Sequence, residues 1–224
     1  LAASSTPTQF DLTLTSDQQM IRDTLTQFAD EMLLTNSRAA DSASQTPAEV
    51  LNALHELGIV SMAVPENLGG AAAARSPVSN VLIAEDLARG DMGIATAYLA
   101  TVGAANVLVD YGSAAQQAQY LPLLLRETFT PAAVCITEPK PLFDPLHMAC
   151  TAQKTGHKTG KGYTLNGVKS LVPLAESCAF FIVAAALEGE AQLFIVDKNA
   201  AGVRVKAEGN MGLRAAALGT LSLN

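Results

Sequence analysis

The chain has 224 residues, 49% hydrophobic and 16% charged, with a net charge of −7. That composition belongs to a folded chain with a sizeable core and excludes a disordered one. The acidic balance argues against a nucleic-acid surface, which needs clustered Lys and Arg.

Leu1-Ala2-Ala3-Ser4-Ser5 lacks the basic and apolar regions of a secretory leader. The longest apolar run, Cys178 to Leu187, has half the length of a membrane span. Cys135, Cys150 and Cys178 are scattered and odd in number, which fits a reducing compartment better than a disulfide framework.

Along the chain, Thr15 or Ser16 can cap a helix in which Ile21, Leu25, Phe28 and Met32 form one apolar stripe. Thr46-Pro47-Ala48-Glu49 has the form of a capping box leading into Val50, Leu54 and Leu57, with Gly58 as the stop. In Asn67-Leu68-Gly69-Gly70 the glycines supply a turn at positive φ. Val78 to Ala88 and Ile94 to Val109 read as further helices, the second with Tyr98, Val102, Ala105 and Val109 at helical spacing. Ser113-Ala114-Ala115-Gln116 caps a last helix through Leu125, with a kink expected at Pro122.

Beyond Phe129 the period changes. Ala132–Ile136, Tyr163–Lys169, Phe180–Ala185, Gln192–Asp197 and Val203–Lys206 are short and rich in Val, Ile and aromatics. Helices followed by strands predict an α+β chain with an all-α domain over 1–130 and an all-β domain over 131–224. No glycine-rich phosphate loop opens a strand–helix alternation, which argues against a dinucleotide-binding fold.

Three stretches together resemble the acyl-CoA dehydrogenase family. The first is Leu54-His55-Glu56-Leu57-Gly58-Ile59 with Val64-Pro65-Glu66-Asn67-Leu68-Gly69-Gly70. The second is Ala84-Glu85-Asp86-Leu87-Ala88-Arg89 with Tyr111-Gly112 and Gln119-Tyr120-Leu121-Pro122. The third is Cys135-Ile136-Thr137-Glu138-Pro139 with Gly162-Tyr163-Thr164-Leu165-Asn166-Gly167-Val168-Lys169. Each is weak alone, and their order and spacing make the combination specific.

The resemblance implies a helical domain, an antiparallel β-barrel middle domain over 131–224 that stops short at its C-terminal end, and a C-terminal helical bundle beyond Asn224. It implies FAD as cofactor and oxidation of an acyl-CoA thioester at its α,β bond. The base that removes the α-proton usually sits in the third domain, so no residue of this chain takes that role by resemblance. Carried over residue by residue, the flavin edge is Val134, Cys135, Ile136 and Thr137, with Phe143, Leu171, Val172 and Pro173 at positions that usually contact the cofactor. Tyr98, Leu99 and Val102 correspond to an acyl-pocket helix, and Phe143 and Asp144 to the approach of the CoA tail.

Several positions depart from the family pattern. Leu142 and Phe143 stand where a Gly-Ser pair is usual, and Leu171-Val172-Pro173 where Trp-Ile-Thr or Trp-Ile-Ser is usual. Losing two or three contacts of about 1 kcal/mol each weakens FAD binding by one to two orders of magnitude. A non-catalytic dehydrogenase-like subunit paired with an active partner is therefore a competing expectation, and an acyl-CoA oxidase or flavin monooxygenase of the same architecture is a third. The family pattern also implies a homodimer, a homotetramer or a heteromer with a related chain, in bacterial cytoplasm or, less favoured, the mitochondrial matrix.

Other candidates have simpler readings. His147 and Cys150 are three apart but have no third ligand at a supporting spacing. Lys154, His157, Lys158, Lys161 and Lys169 form a basic stretch that reads as a solvated hairpin, with attraction of CoA phosphates as the alternative. Cys135 reads as a small buried hydrophobe, and Glu138 as a structural member of its motif.

Overall fold

The computed structural model describes residues 13–72, 75–155 and 162–224. The N-terminal pentapeptide, His157, Lys158 and Lys161 lie outside them. The first half is helical: α1 (Ser16–Phe28), α2 (Leu34–Ala43), α3 (Ala48–Glu56), α4 (Ile59–Met62), α5 (Pro77–Gly90), α6 (Met92–Tyr111) and α7 (Ala114–Leu124). Thr15 and Ser113 each close a full capping box, with Gln18 and Gln116 respectively. The expected stripe of α1 packs on the core through Leu25, with Ile21, Phe28 and Met32 partly buried beside it. A π turn over Ala29–Leu33 carries the helix on into α2.

One capping expectation is corrected. Pro47 takes the N-cap position of α3 with no side-chain cap, while the Thr46 hydroxyl is buried and donates to the Ala215 carbonyl at 2.8 Å. A distant carbonyl outcompetes the local amide because that carbonyl would otherwise be buried without a donor. Thr46→Val should therefore cost about 1–3 kcal/mol; chemical denaturation checks this, against a few tenths for an exposed Thr.

The second half forms seven strands: β1 (Ala132–Cys135), β2 (Thr151–Thr155), β3 (Gly162–Val172), β4 (Phe180–Leu187), β5 (Glu190–Asp197), β6 (Arg204–Ala207) and β7 (Gly219–Leu223). β4 pairs antiparallel with β5, while β1 and then β2 pair parallel to it. β3 pairs with β2 through Asn166 and with β7 from Gly167 onward, so one strand passes between two sheets. A Cβ at Gly167 would lie 2.7 Å from Cys150 Cα, so the crossing needs a residue without a side chain. β6 completes the second sheet on β7.

The sheet is thus curled and mixed, and the expectation of a purely antiparallel barrel is corrected. Parallel neighbours of β4 come from distant parts of the chain, which a strand-by-strand reading cannot pair. β4 is apolar throughout because both its faces are covered. Phe180 and Ile182 join the helical core, whereas Phe181, Val183 and Ala185 face the sheet interior. The core of the helices therefore continues onto the sheet, locked by mutual contacts between the Thr101 hydroxyl and the Ala132 backbone.

α6 is long and apolar enough to cross a membrane by length and composition, a stretch the run-length count passed over. It is instead the central helix of this fold, with ten buried residues that include Ile94, Tyr98, Ala105 and Leu108.

Candidate functional site

α6 starts where Asp91 caps it, its carboxylate accepting from the Ile94 amide at 2.8 Å. One face of this helix, through Tyr98, Thr101, Val102 and Ala105, is buried. The Tyr98 ring stacks on Phe129 at 5.1 Å and is fully buried. The opposite face, with Thr96, Leu99, Ala100 and Gly103, borders an open cleft of about 540 Å³. Ala84 and Ala88 of α5 line it too, and Val134, Leu171 and Pro173 close it from the sheet side.

Four of the residues singled out in the sequence, Leu99, Val134, Leu171 and Pro173, therefore meet in one cavity. Tyr98 and Val102 do not; they turn into the helical core. α6 is apolar on every side, so its sequence carries no mark of which side faces the cleft. Strand alternation divides the other group in the same way. Val134 borders the cleft, whereas Cys135 and Val172 point into the sheet interior, where burial pushes the Cys135 thiol up. Ile136 and Thr137 are exposed at the end of β1, and the Thr137 hydroxyl has no protein hydrogen-bond partner among the described residues.

This edge is held from behind. Lys169 is fully buried; its Nζ donates to the Ile136 carbonyl at 3.0 Å and to Glu138 Oε1 at 2.9 Å. Glu138 also accepts from the amides of Ala149 and Cys150, both at 2.8 Å. Burial alone would raise its pKa, but the two amides and the Lys169 ammonium outweigh it and hold the carboxyl below the ordinary range. The Ser170 amide completes the clamp by donating to the Thr137 carbonyl at 2.9 Å.

Leu171 reaches the cleft through a β-bulge. The β3–β7 register shifts between Lys169 and Val172, and Leu171 takes φ +56°. Its amide donates to Glu208 Oε2 at 3.0 Å, and the Thr220 hydroxyl donates to the same oxygen at 3.1 Å. Sequence reasoning missed Glu208 and took Lys169 for part of a solvated run. Of the two described members of that run, Lys154 is exposed and paired with Glu188 at 2.8 Å.

Phe143 is half-buried with its ring 5.9 Å from Lys169 Nζ, and its neighbour Leu142 is 99% exposed at φ +54°. Asp144 is tied into its own loop, accepting from the Leu146 amide at 2.9 Å and contacting His147 Nδ1 at 2.6 Å. The His147 contact is the larger influence keeping its pKa low. His147 points outward while Cys150 is buried in the sheet interior, so the two do not converge.

Chemically, the cleft can take an apolar group against α6 and a flat ring against Val134 and Leu171. It holds no acid or base: Thr96 is the only polar side chain among its described lining residues, and its hydroxyl donates to the Met92 carbonyl at 2.7 Å.

An all-α domain set on a curled β domain, meeting at an apolar cleft beside a strand end, defines the class. Residues 15–128 match the acyl-CoA dehydrogenase N-terminal domain and residues 133–224 the middle domain. The chain belongs to the acyl-CoA dehydrogenase family. It is 30% identical over 210 residues to benzylmalonyl-CoA dehydrogenase of Aromatoleum aromaticum, covering 88% of this chain and 52% of that protein. Among solved structures it resembles an acyl-CoA dehydrogenase complexed with FAD from Bacillus anthracis, with TM-score 0.81 and 32% identity over 94% of this chain and 36% of that one. Butyryl-CoA dehydrogenase from Megasphaera elsdenii superposes with TM-score 0.83 and 27% identity over 96% of this chain and 57% of that one. The chain spans about half the length of the curated relatives it matches.

Proposed function

We propose that these residues are the flavin-edge and acyl-wall portion of an acyl-CoA dehydrogenase that oxidises an acyl thioester at its α,β bond. The observation that carries this reading is the meeting of Leu99, Val134, Leu171 and Pro173 in one apolar cleft, with an exposed, unpartnered Thr137 hydroxyl two residues past the end of the strand that carries Val134. The residues present fit one edge and one face of a flavin: an unpartnered hydroxyl on a strand end, a backbone held rigid behind it, and aliphatic side chains facing the cavity. FAD, when bound, supplies the hydride acceptor. Thr137 would hydrogen-bond the ring edge, Lys169 and Glu138 would keep that edge in place, and Val134 and Leu171 would exclude water from the ring face. The α-proton must leave to a group outside the described lining of the cleft, since that lining carries no carboxylate. We further propose a homo-oligomer or a heteromer with a related chain, in the cytoplasm, where the three buried free thiols are compatible with reducing conditions.

The test is FAD titration of the purified protein followed by flavin absorbance and fluorescence quenching. Saturable binding is expected, and Leu171→Trp with Pro173→Thr should tighten it about ten- to a hundredfold by restoring a stacking ring and a hydroxyl. The substitutions at Phe143, Leu171 and Pro173 favour a second reading, a non-catalytic subunit that pairs with an active relative. A protein that retains no flavin after saturating FAD is added and the excess removed, with the double substitution making no difference, would select that reading over the first.

A further inference from the structure

Gly103 has no structural explanation of the kind its neighbours have. A Cβ at Gly90 would meet Leu33 Cβ at 2.8 Å, which excludes a side chain there, and one at Gly93 would be crowded against Ala215 Cβ at 3.1 Å. A Cβ at Gly103 meets nothing within 4 Å, and its backbone lies within α6 with no positive φ. Glycine weakens a helix interior relative to alanine. Neither packing nor backbone geometry calls for it, yet it borders the cleft.

The position has a geometric consequence. Thr96, Leu99 and Gly103 follow one another on one helix face, and Gly103 lies about 6 Å further along the axis than Leu99. A missing side chain there leaves a recess one turn beyond Leu99. The wall leading to it is Ala84, Ala88, Met92, Ala95, Thr96 and Leu99, with no charged group. A second carboxylate on a ligand would enter this wall without a cation to pair with.

We propose that Gly103 sets the specificity of this cleft, admitting an uncharged acyl chain that extends past Leu99, and that the uncharged wall discriminates against acyl groups bearing a second carboxylate. The proposal rests on the acyl-CoA reading above. It separates this chain from a relative such as benzylmalonyl-CoA dehydrogenase, whose name denotes a carboxyl-bearing acyl group.

The experiment is titration of the ¹⁵N-labelled protein, native and carrying Gly103→Leu, with butyryl-, pentanoyl-, octanoyl- and glutaryl-CoA. Chemical shifts of the Thr96, Leu99 and Val134 amides are the readout. Octanoyl-CoA should move these amides saturably, and Gly103→Leu should weaken it about tenfold or more while leaving butyryl-CoA within about twofold. Glutaryl-CoA should bind at least about tenfold more weakly than pentanoyl-CoA, which has the same number of acyl carbons. Gly103→Ala should raise the melting temperature, because the new methyl meets no neighbour. Equal loss for both chain lengths, or none, overturns the role of Gly103, and parity of glutaryl- and pentanoyl-CoA overturns the charge discrimination. A native spectrum in which no acyl-CoA moves the cleft amides defeats the acyl-CoA reading itself.

Discussion

Lys169→Met should lower the unfolding free energy by about 3–5 kcal/mol, the range for removing one partner of a buried ion pair. Both members are removed from solvent: Lys169 is 0% and Glu138 5% exposed. The substitution leaves a buried carboxylate held by two amides and strips the Ile136 carbonyl of its donor. Glu138→Gln should cost a comparable amount, since it leaves the buried ammonium without its counter-charge and turns a side-chain NH2 toward a backbone or ammonium donor. In the double variant the two losses should be strongly non-additive, because each single change already breaks the same network. Chemical denaturation at neutral pH measures all three. A loss under about 1 kcal/mol for Lys169→Met would show that water reaches the pair.

The pH dependence follows from the same contacts. The Glu138 carboxyl is held below the ordinary range in the folded state. Its contribution is therefore fully present above the unfolded value of about 4.3 and is lost as pH falls through the lower folded value. Without Lys169, two of the influences lowering that pKa disappear while burial still raises it, so the acid-dependent part of the loss should shrink or reverse sign. A stability profile of the variant parallel to the native one between about pH 6 and pH 3 would contradict this account.

Gly70→Ala should destabilise by about 3 kcal/mol, at the upper end for forcing an atom into a filled space. A Cβ at Gly70 would sit 1.9 Å from the Val64 carbonyl oxygen and 2.5 Å from its carbon, both backbone atoms that no side-chain rotation can clear. The segment is pinned by the Gly70 amide to Pro65 O at 3.1 Å and the Ala72 amide to Val64 O at 3.0 Å, so it cannot open without breaking those bonds. Gly58→Ala is the control. Its φ is +75° but a Cβ there meets nothing within 4 Å, so only the left-handed backbone is penalised, by about 1–2 kcal/mol. Thermal unfolding of the two variants should separate these penalties; equal losses would mean the turn relaxes around the added methyl.

These glycines also show how far local sequence reaches. Asn67-Leu68-Gly69-Gly70 announces a turn, and Gly69 does adopt φ +89°. Gly70 is glycine for a different reason, the approach of the Val64 carbonyl, which no turn propensity encodes. β2 escaped prediction because Thr151–Thr155 is polar and only Ala152 is buried along it; it exists because β3 and β4 offer it partners.

The sequence alone determined the helix starts at Thr15 and Ser113, the stop at Gly58, the change from helices to strands and the resemblance to one family, because capping, chain reversal and periodicity are interactions among near neighbours. The tertiary structure alone decided that β1 and β2 lie parallel to β4, that Leu99 rather than Tyr98 borders the cleft, and that Lys169 is buried against Glu138. Those outcomes depend on partners brought together from distant parts of the chain, and a single apolar helix or lysine carries no record of which partner it will meet.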